Sequence, residues 1–364
     1  MRIEENSSSG HIGFSKAVLF LVFFISFLFL TGVAWAKADI SARAAVVMDA
    51  QTHKILYAKN ADLKLMPAST TKLVTAMVVL DRLDPAKVVR VSRDAAYTPS
   101  IAPHLRPGDM VTVRDLLYLA LMRSINGAAV ALAEAVSGSE SSFAVLMNQK
   151  AASLNAKDTR YVNATGLPAS GQYITADDLA MILAGALRYP LIREIINTKE
   201  KDLVIGGRSV YLRNTDRLLW ADDSLIGGKT GYTRAAEHCL VFAASKGDCT
   251  IVTSLLGERV RDSLWLDGKK LLEKSYLVAN GTAPPEIYQS PVVFTSYEPG
   301  RRVRHRIRHR LMRHVRHHVR RHLVRHRMVR WHHIRHRTVV SKHYRRHLHK
   351  RKFIAKKRRR NISA

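Results

Sequence analysis

From Arg301 to its C-terminus the chain carries 26 lysines and arginines and no aspartate or glutamate. A segment of that charge density cannot join a packed core, because each unpaired buried charge costs on the order of several kcal/mol. Any packed core must come from the first 300 of the 364 residues. Those hold 33 Lys+Arg against 29 Asp+Glu, an ordinary and mildly basic balance. The net charge of +30 therefore belongs to the tail and does not mark the body as a nucleic-acid binder. The tail also holds 13 of the 17 histidines. Repulsion among so many arginines argues against a metal site there. The histidines of the body, His11, His53, His104 and His238, show no ligand spacing and read as surface or loop residues.

The opposite end carries a targeting signal. Lys16 precedes an apolar run from Ala17 to Ala36, closing on Ala34-Trp35-Ala36, the small-x-small pattern of a cleavage site. The run is long for a signal sequence and just long enough to span a bilayer. Residues 1–36 thus read as a signal peptide or as an uncleaved anchor. Both readings place the body outside the cytoplasm, in the periplasm or another extracytoplasmic space. The two cysteines, Cys239 and Cys249, fall in a stretch that reads as a hairpin turning near Lys246-Gly247. That puts Cys249 opposite about Ser245 and Cys239 opposite about Ser254, too far out of register for a disulfide. They read as two small buried residues.

In the body, "RAAVVMD" and "KILYA" predict a hairpin, Arg43–Asp49 with Lys54–Ala58. "TTKLVTAMVVLDRL" is apolar on nearly every face, as in a helix buried all round. "VRDLLYLALMR", "GAAVALAEAV" and "SFAVLMNQKAASLN" follow as helical patterns. "TADDLAMILAGAL" opens with a capping box of Thr175 and Asp178. Strand patterns return from about Leu225 to Leu256, and "LWLDGKKLLEKSYL" closes the body as a helix. This order argues for an α+β fold in which the first and last strands share one sheet with helices on its faces. Residues 279–300, with four prolines and few charges, read as an extended linker ahead of the 301–364 tail.

Three short elements carry the chemistry. Ser69-Thr70-Thr71-Lys72 places a hydroxyl and an amine on one face at the start of the apolar helix. Burial disfavours the ammonium form, and a neutral lysine can take the proton of a nearby serine. A helix N-terminus adds backbone N–H groups suited to an oxyanion. Ser-x-x-Lys alone is weak, arising about once by chance in a chain this long. Ser124-Ile125-Asn126 sits between two helical patterns. A second Ser-x-Asn, Ser153-Leu154-Asn155, falls at the polar end of a helix and is discounted. "GGKTGYT" opens the strand region, and its Lys-Thr-Gly is expected by chance only about 0.1 times. Its glycines permit close backbone approach, and Lys229 and Thr230 can bind a carboxylate lying against the strand.

Ser-x-x-Lys, Ser-x-Asn and Lys-Thr-Gly, in that order, are the signature of penicillin-binding proteins and class A β-lactamases. With the blocks "VVMDAQTHKILYAKNAD", "PASTTKLVTAMVVLD", "VRDLLYLALMRSINGAA", "YVNATGLP" and "GGKTGYTRAAEHCLV", the sequence resembles the serine-type D-alanyl-D-alanine carboxypeptidases, the low-molecular-mass penicillin-binding proteins. The resemblance implies a β-lactamase/transpeptidase-like fold over residues 37–278, with an antiparallel sheet, helices on both faces and a helical subdomain. It implies that Ser69 attacks the carbonyl of a terminal D-Ala-D-Ala to form an acyl-enzyme. Lys72 would be the base, and Ser124 would relay a proton to the leaving D-alanine. Asn126 would hold Lys72 and the acyl chain, and Lys229 and Thr230 the terminal carboxylate. The backbone N–H groups of Ser69 and Tyr232, the latter next to Gly231, would form the oxyanion hole. Peptidoglycan stem peptides are the implied substrates and β-lactams the implied inhibitors, with no metal or organic cofactor. The sequence departs from the family where many members have an acidic residue after Ser-x-Asn, here Gly127. It departs again where many have a basic residue three positions beyond the Arg of an Arg-Asp pair, here Leu264 after Arg261-Asp262.

The competing readings use the same residues. A class A β-lactamase needs a further glutamate in a Glu-x-x-Leu-Asn context, which the chain lacks. A D,D-endopeptidase would cut cross-links with the same serine. A polycationic envelope-binding protein would carry the enzyme only as a vestige. In the tail, Val303, Ile307, Leu311, Val315, Val319 and Leu323 recur at every fourth position. The tail reads either as an interfacial helix or as a disordered polycation. Both imply attachment to an anionic membrane or envelope polymer, with no physiological nucleic-acid partner.

Overall fold

Alternating apolar residues build the sheet, and runs apolar on every face build the helices beneath it. The structure is a computed structural model and describes residues 40–289. In chain order come β1 (Ala44–Asp49), β2 (Ile55–Lys59), a 3-10 turn (Ala68–Thr71), α1 (Lys72–Leu80), β3 (Val88–Arg90), α2 (Arg93–Tyr97), β4 (Met110–Thr112), α3 (Val113–Met122), α4 (Asn126–Ser137) and α5 (Glu140–Ser153). Then follow α6 (Ala176–Ala186), α7 (Pro190–Asn197), β5 (Glu200–Ile205), β6 (Arg208–Arg213), a second 3-10 turn (Leu218–Trp220), β7 (Leu225–Thr233), β8 (Glu237–Lys246), β9 (Cys249–Glu258), α8 (Arg261–Ala279) and β10 (Glu286–Tyr288).

Six strands form one sheet in the order β10-β2-β1-β9-β8-β7. The N-terminal hairpin thus pairs with the C-terminal strands, as the α+β reading expects. Every pairing is antiparallel except that of β10 with β2. The period-2 alternation of strands divides the residues between two cores. Ala45, Val47, Leu240, Phe242 and Leu255 face α8, through Leu264, Leu271, Leu272 and Val278. Val46, Met48, Val241, Ala243 and Val252 face the larger core made with the helices of the other layer. Within that layer α1 is buried on all sides from Lys72 to Val79, as its composition predicts.

Local chemistry fixes the helix starts. The side chains of Ser92, Thr112, Ser139 and Thr175 each accept a hydrogen bond from a backbone N–H in the first turn of the helix that follows. At Thr175 the expected capping box is only half made. Its hydroxyl accepts from Asp178 N at 3.1 Å, while the Asp178 carboxylate turns instead to the Thr159 hydroxyl at 2.7 Å.

Two expectations need correction. The linker does not begin at residue 279: α8 ends there and β10 follows, pairing Glu286, Ile287 and Tyr288 with Tyr57, Ala58 and Lys59. Pro284 and Pro285 imitate a linker, but they stop one residue short of the paired segment, and an edge strand tolerates them there. The β8–β9 hairpin is also one residue tighter than expected, with Cys249 facing Lys246 rather than Ser245. A bulge between His238 and Leu240 shifts Cys239 as well. Both cysteines are free, Cys239 buried and Cys249 only half so. The expected signal or anchor, the rest of the linker and the basic tail lie outside the described residues. Among the described residues, no helix is long and apolar enough to cross a membrane.

Candidate functional site

Ser69 sits in the 3-10 turn that leads into α1. A 3-10 turn has three residues per turn, so positions i and i+3 nearly eclipse. Two threonines fasten the turn: Thr70 Oγ1 donates to Pro67 O at 2.7 Å and Thr71 Oγ1 to Ala68 O at 2.8 Å. Ala68 holds a left-handed φ of 48° and is fully buried. Such a backbone persists only where its surroundings enforce it. Gly166 packs on the Ala68 carbonyl so closely that an added Cβ would lie 1.7 Å from that oxygen. An added Cβ on Gly231 would lie 2.9 Å from Ser69 N, so β7 runs directly past the backbone N–H of Ser69.

Lys72 has no solvent exposure. Its Nζ lies 2.9 Å from Ser69 Oγ, 2.7 Å from Asn126 Oδ1 and 2.7 Å from Thr165 O. Asn126 begins α4, and its amide is oriented by donation from Nδ2 to Pro99 O at 2.6 Å. The Thr165 carbonyl is set by Asn163, whose Oδ1 accepts from the backbone N–H groups of Thr165 and Gly166. The Lys72 amine is therefore satisfied by hydrogen bonds yet touches no carboxylate among the described residues. Burial holds it well below the usual lysine range; the charge of Lys229 acts in the same direction, and Glu140 opposes them.

Ser124 follows α3 in a left-handed conformation with φ 62°. Its Oγ accepts from Lys229 Nζ at 3.1 Å, and Lys229 also donates to Thr230 O at 2.8 Å. Lys229 is fully buried in mid-β7, and burial brings it down to about 7 against the opposing pull of Asp216. Thr230 Oγ1 donates to Thr215 Oγ1 at 2.7 Å. A cavity of about 540 Å³ opens over these groups, walled by Ser69, Ser124, Asn126, Thr230, Gly231 and Tyr232. The structure thus gathers every residue singled out by the three motifs, with the two lysines buried behind the wall. Ser153 ends α5 and does not line this cavity; its hydroxyl turns back to Lys150 O.

Sequence reasoning missed several members. His238 is not a loop residue: it lies in β8, lines the cavity and stacks on Tyr232 at 4.4 Å. The Thr165 carbonyl, Thr215 and Asp216 were also missed. "YVNATGLP" and "RNTDRLLW" contain them, but only the fold shows that they meet the motifs. At Gly127 the departure from the family has a physical counterpart, since an added Cβ would lie 2.4 Å from Ala95 O. No acidic side chain fits there while α2 packs this closely.

The family model described as D-alanyl-D-alanine carboxypeptidase matches residues 31–260. The chain belongs to the D-alanyl-D-alanine carboxypeptidase family. It is 37% identical over 222 residues to the D-alanyl-D-alanine carboxypeptidase DacF of Bacillus subtilis, covering 59% of this chain and 57% of that protein. It is 38% identical over 214 residues to a D-alanyl-D-alanine endopeptidase of Pseudomonas aeruginosa, covering 56% of this chain and 67% of that protein. A mutant of a Streptomyces DD-transpeptidase superimposes with a TM-score of 0.63 at 31% identity, over 66% of this chain and 99% of that one. The α+β, transpeptidase-like fold expected from the motifs is therefore the fold observed.

The site geometry makes Gly166 a sensitive position. Gly166→Ala meets both a left-handed φ of 80° and the Ala68 carbonyl. The variant is expected to lose at least about 1 kcal/mol of stability in denaturant unfolding. An unchanged midpoint would show that the Ala68–Gly166 contact does not hold the serine turn.

Proposed function

We propose that the chain is a serine D,D-peptidase that removes the terminal D-alanine from peptidoglycan stem pentapeptides. The observation that carries this reading is the buried Lys72 amine held against Ser69 Oγ without a counter-ion. A neutral amine has two hydrogens and one lone pair. Asn126 Oδ1 and Thr165 O accept the hydrogens, which leaves the lone pair facing the serine hydroxyl. Ser69 gives its proton to Lys72 and its oxygen attacks the penultimate D-Ala carbonyl. The resulting oxyanion receives the N–H groups of Ser69 and Tyr232. The C–N bond then breaks, and the leaving D-alanine amine takes a proton by way of Ser124. Lys229 and Thr230 hold the terminal carboxylate. Water, with its proton passing to Lys72, hydrolyses the ester and returns the serine. A β-lactam entering the same cavity acylates the same oxygen.

Cleavage of cross-links is a second reading. The similarity to the Pseudomonas aeruginosa endopeptidase favours it, because the same serine serves a D-Ala carbonyl in either bond. Both readings place the enzyme at the cell wall, outside the cytoplasm, consistent with the apolar run from Ala17 to Ala36. The Arg/His-rich tail would hold it on an anionic envelope surface by charge.

Ser69→Ala is expected to abolish covalent labelling by a fluorescent penicillin, with Ser153→Ala labelled as the parent is. The parent is expected to release free D-alanine from a pentapeptide muropeptide. Cleavage confined to a cross-linked dimer would establish the endopeptidase instead, and labelled Ser69→Ala would remove the serine assignment. For the tail, a chain ending at Gly300 should label normally but lose salt-sensitive co-sedimentation with anionic vesicles. Equal co-sedimentation of the two lengths would show that the tail is not the attachment.

A further inference from the structure

One fully buried titratable group has no part in the scheme above. Asp216 lies between β6 and the Leu218–Trp220 turn with no solvent exposure. Its Oδ1 accepts from Leu218 N at 3.0 Å. Its Oδ2 is buried with no hydrogen-bond partner among the described residues. An acceptor left in that state is costly, and a fold that retains one calls for a reason.

The segment bearing Asp216 is pinned from three sides. Asn214 Nδ2 donates to Ile196 O at 3.2 Å and Thr198 O at 3.0 Å, tying it to the end of α7. Thr215 N donates to Met122 O at 3.1 Å, at the end of α3 and two residues before Ser124. The Thr215 hydroxyl accepts from Thr230 Oγ1 at 2.7 Å, on β7 and next to Lys229. Asp216 N in turn donates to Asn214 Oδ1 at 3.0 Å. The segment is thus fixed against β7 at the Thr215–Thr230 contact, with Asp216 the residue after Thr215 and Lys229 the residue before Thr230.

Titratable groups on three elements bear on Asp216 and its neighbours. Lys229 from β7 favours the ionised form of Asp216, while burial pushes that carboxyl up to about 6. Asp216 favours the charged form of Lys229. On Lys72, from α1, Lys229 acts against the charged form and Glu140, from α5, acts for it. A carboxylate supports an ammonium, and the ammonium in turn supports the neutral amine at the serine.

We propose that Asp216 is a positioning residue for catalysis, whose buried carboxylate keeps Lys229 charged so that Lys229 can hold the ligand's carboxylate and keep Lys72 free as the base. The inference rests on the serine-peptidase reading. Asp216→Asn keeps the shape and the acceptor for Leu218 N but removes the charge. Lys229 then gives up its proton at lower pH. Neutral Lys229 loses its attraction for a carboxylate and no longer opposes protonation of Lys72. Both effects slow acylation on the alkaline side and leave the acid side, where Lys229 is charged in either protein, in place.

The test is the second-order rate constant for acylation by a fluorescent penicillin, measured from pH 5 to pH 10 in the full chain. In Asp216→Asn the alkaline limb is expected to move down by roughly one pH unit or more, with the acid limb fixed. Asp216→Glu, which restores the charge, is expected to return the limb toward the parent. Superimposable profiles would overturn the proposal, and so would an equal loss at every pH with a lowered melting temperature, the signature of a purely structural role. A parent protein that takes no label at any pH would instead overturn the serine-peptidase reading, and this inference with it. A second measurement on the unmodified protein covers a variant that does not fold. The Lys229 side-chain NMR resonance should show an inflection where the Asp216 carboxyl titrates, and a curve without one counts against the proposal.

Discussion

A primary amine buried without a counter-ion is the constraint on which the rest of the site depends. An isolated ammonium at the position of Lys72 would cost on the order of several kcal/mol in lost hydration. A neutral amine with its hydrogens accepted by Asn126 Oδ1 and Thr165 O carries no such penalty. The surroundings are arranged to hold that second state. The helix beneath is apolar on every side. The groups touching the amine are dipoles rather than carboxylates. A second cation, Lys229, lies close enough to oppose a first. Burial that would ordinarily be a defect thus lowers the lysine's affinity for a proton and makes it available as a base.

β7 brings the other half of the machinery into register. It is an end strand of the sheet, so one of its edges is available to a ligand. Lys229 points to Ser124, Thr230 to Thr215, and Gly231 admits the turn that carries Ser69. The left-handed residues Ala68 and Ser124 lie against this strand, Ala68 at Gly231 and Ser124 at Lys229. Two of the left-handed non-glycine residues thus help present the hydroxyls of Ser69 and Ser124.

The motifs made the heart of the site readable because they are local. Ser69 and Lys72 are three residues apart, Ser124 and Asn126 two, and Lys229 to Tyr232 are contiguous. Their residue types state the chemistry without the fold. Thr165 contributes a backbone carbonyl, which leaves no mark on a sequence. The role of Asp216 depends on its burial, and "RNTDRLLW" looks like a polar loop until α7 and β7 close around it. The fold was legible where apolar patterns were long, as in α1 or β8–β9. It was illegible in β5 and β6, where exposed Val204 and Tyr211 stand between buried apolar neighbours and hide the alternation, and in β10, hidden behind two prolines. His238 was misread because a lone histidine in a strand gives no sign of the cavity beside it.

The central claim is that Lys72 is a neutral amine in the resting protein. Selective 13C labelling of the lysine ε-carbons, with Lys72→Arg to assign the resonance, measures this directly. The account predicts that at pH 7 the Lys72 signal already has the shift of a free amine, while exposed lysines keep ammonium shifts until far higher pH. A Lys72 signal that stays at the ammonium shift until the exposed lysines titrate would contradict the account.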